Sequence, residues 1–286
     1  MYKRCLNLDR NTRLSYNLVF FFVSINYLIK IYFEMFGSKT VFYLLTVFSA
    51  CFGAVDIKKY LKVCDRNAID VNDCMADAVQ KGIAVMIHGI PELGVPPIDP
   101  YLQKEFKVEY KNNQILAKMI LKNIYVEGLK DATVHDARLR ADDDKFHLEV
   151  DLTSPLVVVK AQYYGEGQFN SLKIVAYGDF NTTMTDLVYT WKLSGVTEKN
   201  GSDTYVRIKD FYMRPDLTSI VTEFRNENPE SREFTDLGTR FANENWRTLY
   251  KEFLPYAQAN WKRIGIKVAN KLFLKVPYDQ LFPSSS

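Results

Sequence analysis

The heptapeptide Phe146-His147-Leu148-Glu149-Val150-Asp151-Leu152 alternates apolar and polar residues without exception. A period of two puts Phe146, Leu148, Val150 and Leu152 on one face of an extended chain and the polar three on the other, the pattern of a strand with one buried and one wet face. Reading outward, the same period recurs less cleanly over 115–126, 133–139, 156–164, 172–180, 185–193 and 205–213. Turn-forming residues separate several of these runs: Asp142-Asp143-Asp144, Gly165-Glu166-Gly167 and Asn200-Gly201. No helical period of useful length interrupts the chain from Phe106 to about Met213. The region is therefore expected to meander as antiparallel strands, and the order of elements argues against a doubly wound parallel sheet.

On the N-terminal side, Val71, Met75, Ala78, Val79, Gly82, Ile83 and Met86 fall at helical spacing behind Asp70, a helix-start residue. The stretch HGIPELGVPPIDP at 88–100 then holds four prolines and two glycines, so it must run as a loop. It is apolar for a loop, and Ile90, Leu93, Val95 and Ile98 are expected to pack onto the core. On the C-terminal side, a polar stretch at 226–231 precedes a second helical pattern. Leu237, Phe241, Leu249, Phe253, Ala257, Trp261, Ile264, Val268 and Leu272 fall on or near one face, with Asn245 or Trp246 in the gap. One very long helix is expected there, bent at Pro255, which lacks a backbone donor. A curved sheet closing on such a helix leaves a solid core and a lengthwise cavity both open. The aromatic content of 14% serves either.

The first fifty residues differ in character. A 14-residue apolar run from Val41 to Ala54 follows Lys39, long enough for a signal-peptide core and short for a membrane span. Small residues fit cleavage after Gly53 or after Cys51. Met35 stands where a complete signal peptide would begin, so the expected organisation is an upstream extension at 1–34, a signal peptide at 35–53 and one domain at 54–286. An uncleaved anchor is the alternative. Residues 1–53 hold six basic side chains (Lys3, Arg4, Arg10, Arg13, Lys30, Lys39) and two acidic ones (Asp9, Glu34), which leaves 31 basic and 32 acidic residues and a net charge of −1. The formal +3 of the chain thus belongs to its leader, and a nucleic-acid surface is not expected.

Of four cysteines, Cys5 and Cys51 fall in or before the leader, and Cys64 and Cys74 remain. In a secreted chain this pair reads as one short disulfide loop; in a cytosolic one it would be two free thiols. Metal binding is disfavoured because His88, His135 and His147 are scattered singly. Asn181-Thr182-Thr183 and Asn200-Gly201-Ser202 are glycosylation sequons, compatible with secretion. No G-x-S-x-G elbow occurs. His147 lies on the polar side of its strand, and His135 and Asp136, as neighbours in a strand, are expected on opposite faces rather than as a dyad. Asp142 to Asp144 lack the alternating spacing of a calcium loop and read as a solvated turn.

Several motifs together resemble the insect takeout and juvenile-hormone-binding protein family over nearly all of 60–283. They are the pair Cys64-Asp65-Arg66 through Asp73-Cys74, the loop from Gly89-Ile90-Pro91 to Ile98-Asp99-Pro100, Tyr164-Gly165-Glu166-Gly167, Tyr177-Gly178-Asp179-Phe180, and Asn243-Glu244-Asn245-Trp246 followed by Pro255 and Val276-Pro277. Singly they are weak; in this order and at these spacings they are specific. The resemblance implies an α+β fold, a long bent C-terminal helix wrapped by a highly curved antiparallel sheet that encloses a hydrophobic tunnel. It implies a secreted, extracellular carrier of a small elongated hydrophobic ligand: juvenile hormone, another terpenoid, a fatty acid or a quinone-like molecule. The second disulfide of the hormone carriers cannot form in this mature region, which places the chain closer to the takeout branch. On this reading Phe241, Leu249, Phe253, Ala257, Trp261 and Ile264 form the inward ligand-binding stripe, and a buried tyrosine hydroxyl, one of 18, is available to orient a polar end. A monomer without catalytic residues, cofactor or metal is expected, with membrane contact only if the N-terminal segment is retained. The competing readings are an interaction protein with a solid core and a secreted esterase.

Overall fold

In the computed structural model, which describes residues 56–111, 115–169 and 172–284, the period-two region becomes one seven-stranded antiparallel sheet. Its strands are β1 (Tyr101–Lys111), β2 (Ile115–Glu127), β3 (Thr133–Ala141), β4 (Lys145–Phe169), β5 (Leu172–Asn200), β6 (Asp203–Tyr212) and β7 (Ser219–Asn226). The helices are α1 (Val71–Met86), α2 (Arg232–Glu244), α3 (Trp246–Phe273) and the single turn α4 (Tyr278–Leu281). The extension expected at 1–34 and the signal peptide expected at 35–53 lie outside the described residues, as do Cys5 and Cys51.

β4 and β5 are the spine and pair along their whole length. Each has two shorter neighbours set end to end on its other edge: β3 and β2 along β4, β6 and β7 along β5. One end of the sheet therefore runs β3-β4-β5-β6, and the other runs β1-β2-β4-β5-β7. The sequence suggests four strands where the structure has these two. The interruption at Pro155 does not end β4, because Pro155 faces Asp186, whose φ of 53° marks an irregular residue between Ser154↔Leu187 and Leu156↔Thr185. A proline is tolerated in a strand where no ladder donor is required of it. Buried positions in β4 are even up to Ser154 and odd from Val157, yet Leu152 and Val157 join one core. The irregularity thus re-aims the strand and bends the sheet. Gly165-Glu166-Gly167 is likewise strand, paired on both sides, and the chain turns only after Phe169.

The β3-β6 end is solid. Phe146 is 1% exposed and packs against the rings of Phe273 and Phe282 at 5.1 and 5.3 Å. Met75, Ala78 and Ile83 of α1 and Ile90, Leu93 and Val95 of the proline loop complete this core, with Ile98 packed against it. The apolar loop is therefore core material, as its composition predicts; burying each such large side chain contributes about 1.5–3 kcal/mol. Asp70 does occupy the start of α1, but its side chain makes no capping bond and its carbonyl accepts from Cys74 N at 2.9 Å. Cys64 and Cys74 are joined, with Cα atoms 5.9 Å apart. Within the loop they close, Arg66 lies 4.7 Å over the Tyr278 ring, pairs with Asp143 and Asp279, and donates its backbone N–H to Pro283 O. The disulfide loop thereby holds the C-terminus. Asp142 caps the β3–β4 turn, accepting from Asp144 N and Lys145 N at 2.9 and 2.6 Å.

The expected single C-terminal helix is two. It breaks at Asn245, with φ −112° and ψ 23°, and runs on through Pro255. Asn245 turns both its backbone N–H and its side-chain amide onto Phe241 O, which closes α2, while its carbonyl accepts from Thr248 N and Leu249 N to open α3. The gap in the apolar stripe is where the helix stops. Proline's missing donor is a smaller disturbance than an asparagine able to satisfy both ends.

Candidate functional site

Both C-terminal helices are fastened to the sheet by asparagine amides. Asn270 of α3 accepts from Ile208 N at 2.8 Å and donates to Ile208 O at 2.9 Å, and Asn243 of α2 does the same to Thr222 at 2.8 and 3.0 Å. Each amide stands in for a missing neighbour strand on the open edge of β6 or β7. Along the β6 side, α3 also donates from Gln258 to Met213 O and from the Tyr250 hydroxyl to Pro215 O. Its Gly265 lies flat against the Phe211 ring.

The opposite edge of the sheet is reached as well. Asn260 of α3 and Gln103 of β1 exchange two hydrogen bonds at 3.1 Å, and Arg263 adds a third to Asn260 Oδ1 at 2.8 Å. Gln103 stands opposite Ile124, whose side chain is buried, so the contact lies on the concave face. At about 100° per residue, Asn260 and Gly265 are about 140° apart around α3. Phe253, Ile264, Ala257 and Trp261 fall inside that arc; Leu249 lies about 20° outside it. α3 thus reaches β1 through Asn260 and the Phe211 ring of β6 through Gly265.

Of the six residues expected to form a ligand stripe, five are on α3 and Phe241 is on α2, beyond the break at Asn245. None joins a buried core cluster: Leu249, Ala257, Trp261 and Ile264 are half-buried, while Phe241 and Phe253 are exposed at 56% and 43%. Phe234 and Leu237 of α2 are exposed too. Elsewhere on α3, by contrast, Leu254 is buried, and Phe273 belongs to the main core with Ile266, Val268, Ala269 and Leu272 packed against it.

The floor beneath α2 is a second, smaller cluster. Leu121, Ile124, Ala161 and Tyr163 are buried, and Phe106, Met119, Phe180 and Phe224 pack against them. Three aromatic rings stack along it, Tyr163 edge-on to Phe224 at 5.0 Å and Phe224 against Phe180 at 5.0 Å. Phe224 also lines a groove of about 460 Å³ with Glu223, Asp236, Thr239 and Arg240. The sequence assigned none of the floor residues to a ligand site, although Phe180 stands in one of the family motifs. The period-two signal was there to find Ala161 and Tyr163, but which face they share with Phe180 and Phe224 depends on register.

The polar groups weighed for catalysis are on the other side of the sheet. His147, Glu149 and Asp151 alternate with the buried Phe146, Leu148, Val150 and Leu152. There His147 contacts Ser194 at 2.9 Å and Glu149 at 3.1 Å, Arg138 pairs with Asp136, Glu149 and Asp151, and Lys192 pairs with Glu149. Hydrogen bonds from His147 first, then Lys192 and Arg138, hold the Glu149 carboxyl down to about 2. This is a charge ladder tying three strands. His135 and Asp136 are both exposed, because a register shift between Val134 and Asp136 breaks the alternation that predicts opposite faces, but His135 contacts Thr153 and Asp136 pairs with Arg138. Of the sequons, Asn200 is exposed at the β5–β6 turn and Asn181 is half-buried in the middle of β5. Among the described residues no group of three or more His, Cys, Asp or Glu could hold a metal ion, and no helix is long and apolar enough to cross a membrane.

The sequence model of the family described as haemolymph juvenile hormone binding protein matches residues 42–283. The crystal structure of Epiphyas postvittana Takeout 1 is similar in fold, with a TM-score of 0.61 at 22% identity over 78% of this chain and 99% of that one. Lipopolysaccharide binding protein aligns with a TM-score of 0.34 at 11% identity over 71% of this chain and 38% of that one, too little to bear on function. No curated relative matches.

Proposed function

Because the chain belongs to the haemolymph juvenile hormone binding protein family, we propose that it is a carrier that holds one small elongated hydrophobic molecule between the concave sheet and helices α2 and α3. The observation that carries this reading is the double attachment of α3. The helix is supported by Asn260 reaching β1 and Gly265 reaching Phe211 of β6, with Phe253, Ala257, Trp261 and Ile264 on the arc of α3 between them and outside both buried clusters. Space lined by apolar side chains and closed by fixed edges is what an apolar guest requires. Burying ~300 Å² of ligand hydrocarbon yields roughly 7–8 kcal/mol at ~25 cal/mol per Å², before association costs reduce it. Micromolar affinity then needs no ionic contact.

The ligand is juvenile hormone, another terpenoid, a fatty acid or a quinone-like molecule. The carrier is secreted as a monomer beginning near Ala54, with no catalytic step. Native mass spectrometry of protein from culture medium, before and after organic extraction, tests this directly. A stoichiometric small molecule lost on extraction is expected. If none copurifies and no terpenoid, fatty acid or quinone displaces a fluorescent fatty acid, the carrier reading fails.

A further inference from the structure

Among the described residues, two buried side-chain polar atoms have no hydrogen-bond partner, Tyr163 Oη and Asn181 Oδ1. Asn181 neighbours the inward Thr182 in β5 and so points to the outer face. Tyr163 is on the concave side and only 6% exposed, with Leu121, Ile124 and Ala161 around it and Phe224 against its ring. The hydroxyl of Thr235 in α2 stands beside it and acts on it, but the two are not within hydrogen-bonding distance and angle; Thr235 instead donates to Ser231 O at 3.0 Å and accepts from Asn226 Nδ2 at 2.7 Å. A buried hydroxyl left without a partner is costly, and native proteins seldom keep one without a use for it.

We infer that Tyr163 Oη is the hydrogen-bond donor to the oxygen of a neutral ligand head group, an ester, ketone, aldehyde or alcohol, whose hydrocarbon lies along the concave face. The inference rests on the carrier reading above and names the chemistry of one end of the guest. Phe224 links the hydroxyl to the groove, since it packs edge-on to the Tyr163 ring and lines the groove together with Thr239, one turn beyond Thr235 on α2. Burial pushes the Tyr163 phenol up, Thr235 beside it offsets part of that rise, and the charge of Glu227 adds to it, so the hydroxyl remains a donor at physiological pH. The same surroundings select against a carboxylate. Glu223 and Asp236 line the groove and Glu227 acts on the hydroxyl, with Arg240 the one cation among these lining groups. A ligand oxygen at about 2.7–2.8 Å would satisfy the hydroxyl without bringing a like charge to three acids.

The test is displacement of N-phenyl-1-naphthylamine from the native protein and from Tyr163→Phe by methyl palmitate, hexadecanol, palmitate and hexadecane. Native protein is expected to bind the ester and the alcohol about tenfold tighter than the hydrocarbon, and palmitate more weakly than its ester. Tyr163→Phe should bind hexadecane as the native protein does and lose the tenfold preference, with thermal stability unchanged or raised. An unaltered preference in Tyr163→Phe overturns the anchor and leaves the carrier intact. So does a lowered melting temperature, which would mean that the hydroxyl bonds within the protein. A native protein that binds none of the four compounds overturns both.

Discussion

The ring of Phe211 lies against the backbone of Gly265, so close that a β-carbon on Gly265 would stand 2.3 Å from Phe211 Cγ and 2.4 Å from Cδ1. Glycine in mid-helix weakens a helix by about 1 kcal/mol relative to alanine, and here that weakness is the condition for α3 to approach β6. Gly265→Ala is therefore expected to destabilise by about 1–3 kcal/mol through overpacking, against its own helix propensity. In a Phe211→Ala background the same substitution should stabilise. Thermal unfolding of the two single variants and the double variant reads the change of sign; a destabilising Gly265→Ala in both backgrounds would show that Phe211 is not the cause.

Asn270→Ala should cost about 1–3 kcal/mol in urea unfolding, because it strips both partners from the backbone of Ile208, which is 1% exposed. Asn270→Asp keeps an acceptor for Ile208 N but faces Ile208 O with a carboxylate, and should not rescue. Asn243→Ala removes the equivalent pair from Thr222, a less buried residue, and should cost less.

The charge ladder sets part of the acid limb of stability. Glu149 titrates at about 2 in the folded chain instead of 4.5. A depressed folded value means that its contribution is complete above pH ~5, where the unfolded carboxyl is ionised, and is lost as pH falls toward 2. Urea midpoints should decline between pH 6 and pH 3, and decline less in Glu149→Gln, with the two proteins converging at the acid end. Equal slopes would mean that the ladder adds nothing measurable.

On the proposed carrier function, truncating the arc of α3 between Asn260 and Gly265 should weaken ligand binding. Phe253→Ala and Trp261→Ala are each expected to raise the dissociation constant about tenfold or more in a displacement assay, or to admit bulkier guests. Lys251 and Lys262 lie on the far side of the helix, at about 180° and 200° from Asn260, and Lys262 is held by Asp210 at 2.7 Å. Alanine at either should leave affinity unchanged. Loss of binding at Lys251 would place the guest on the other face.

The periods of the sequence were enough for the kind of structure most stretches adopt. Strict alternation at 146–152, helical spacing at 71–86, the buried proline loop and the Cys64–Cys74 link all follow from residues near one another in the chain. Local steric and solvation preferences determine them, and the ordered motifs add the family.

Tertiary structure decided what depends on residues far apart. Whether Pro155 ends a strand depends on Asp186 across from it. Ser219–Asn226 becomes β7 because β5 has an edge to offer at 178–185. The helix breaks at Asn245, not at Pro255, because an asparagine side chain can close one helix while its carbonyl opens the next. Asn243, Asn260 and Asn270 read as ordinary polar helix residues until β7, β1 and β6 stand beside them. The same holds for Tyr163: one tyrosine of 18 is singled out only by burial without a partner. A period reports which face of an element is buried, but partnership is a property of register and packing, fixed only when the sheet has curved.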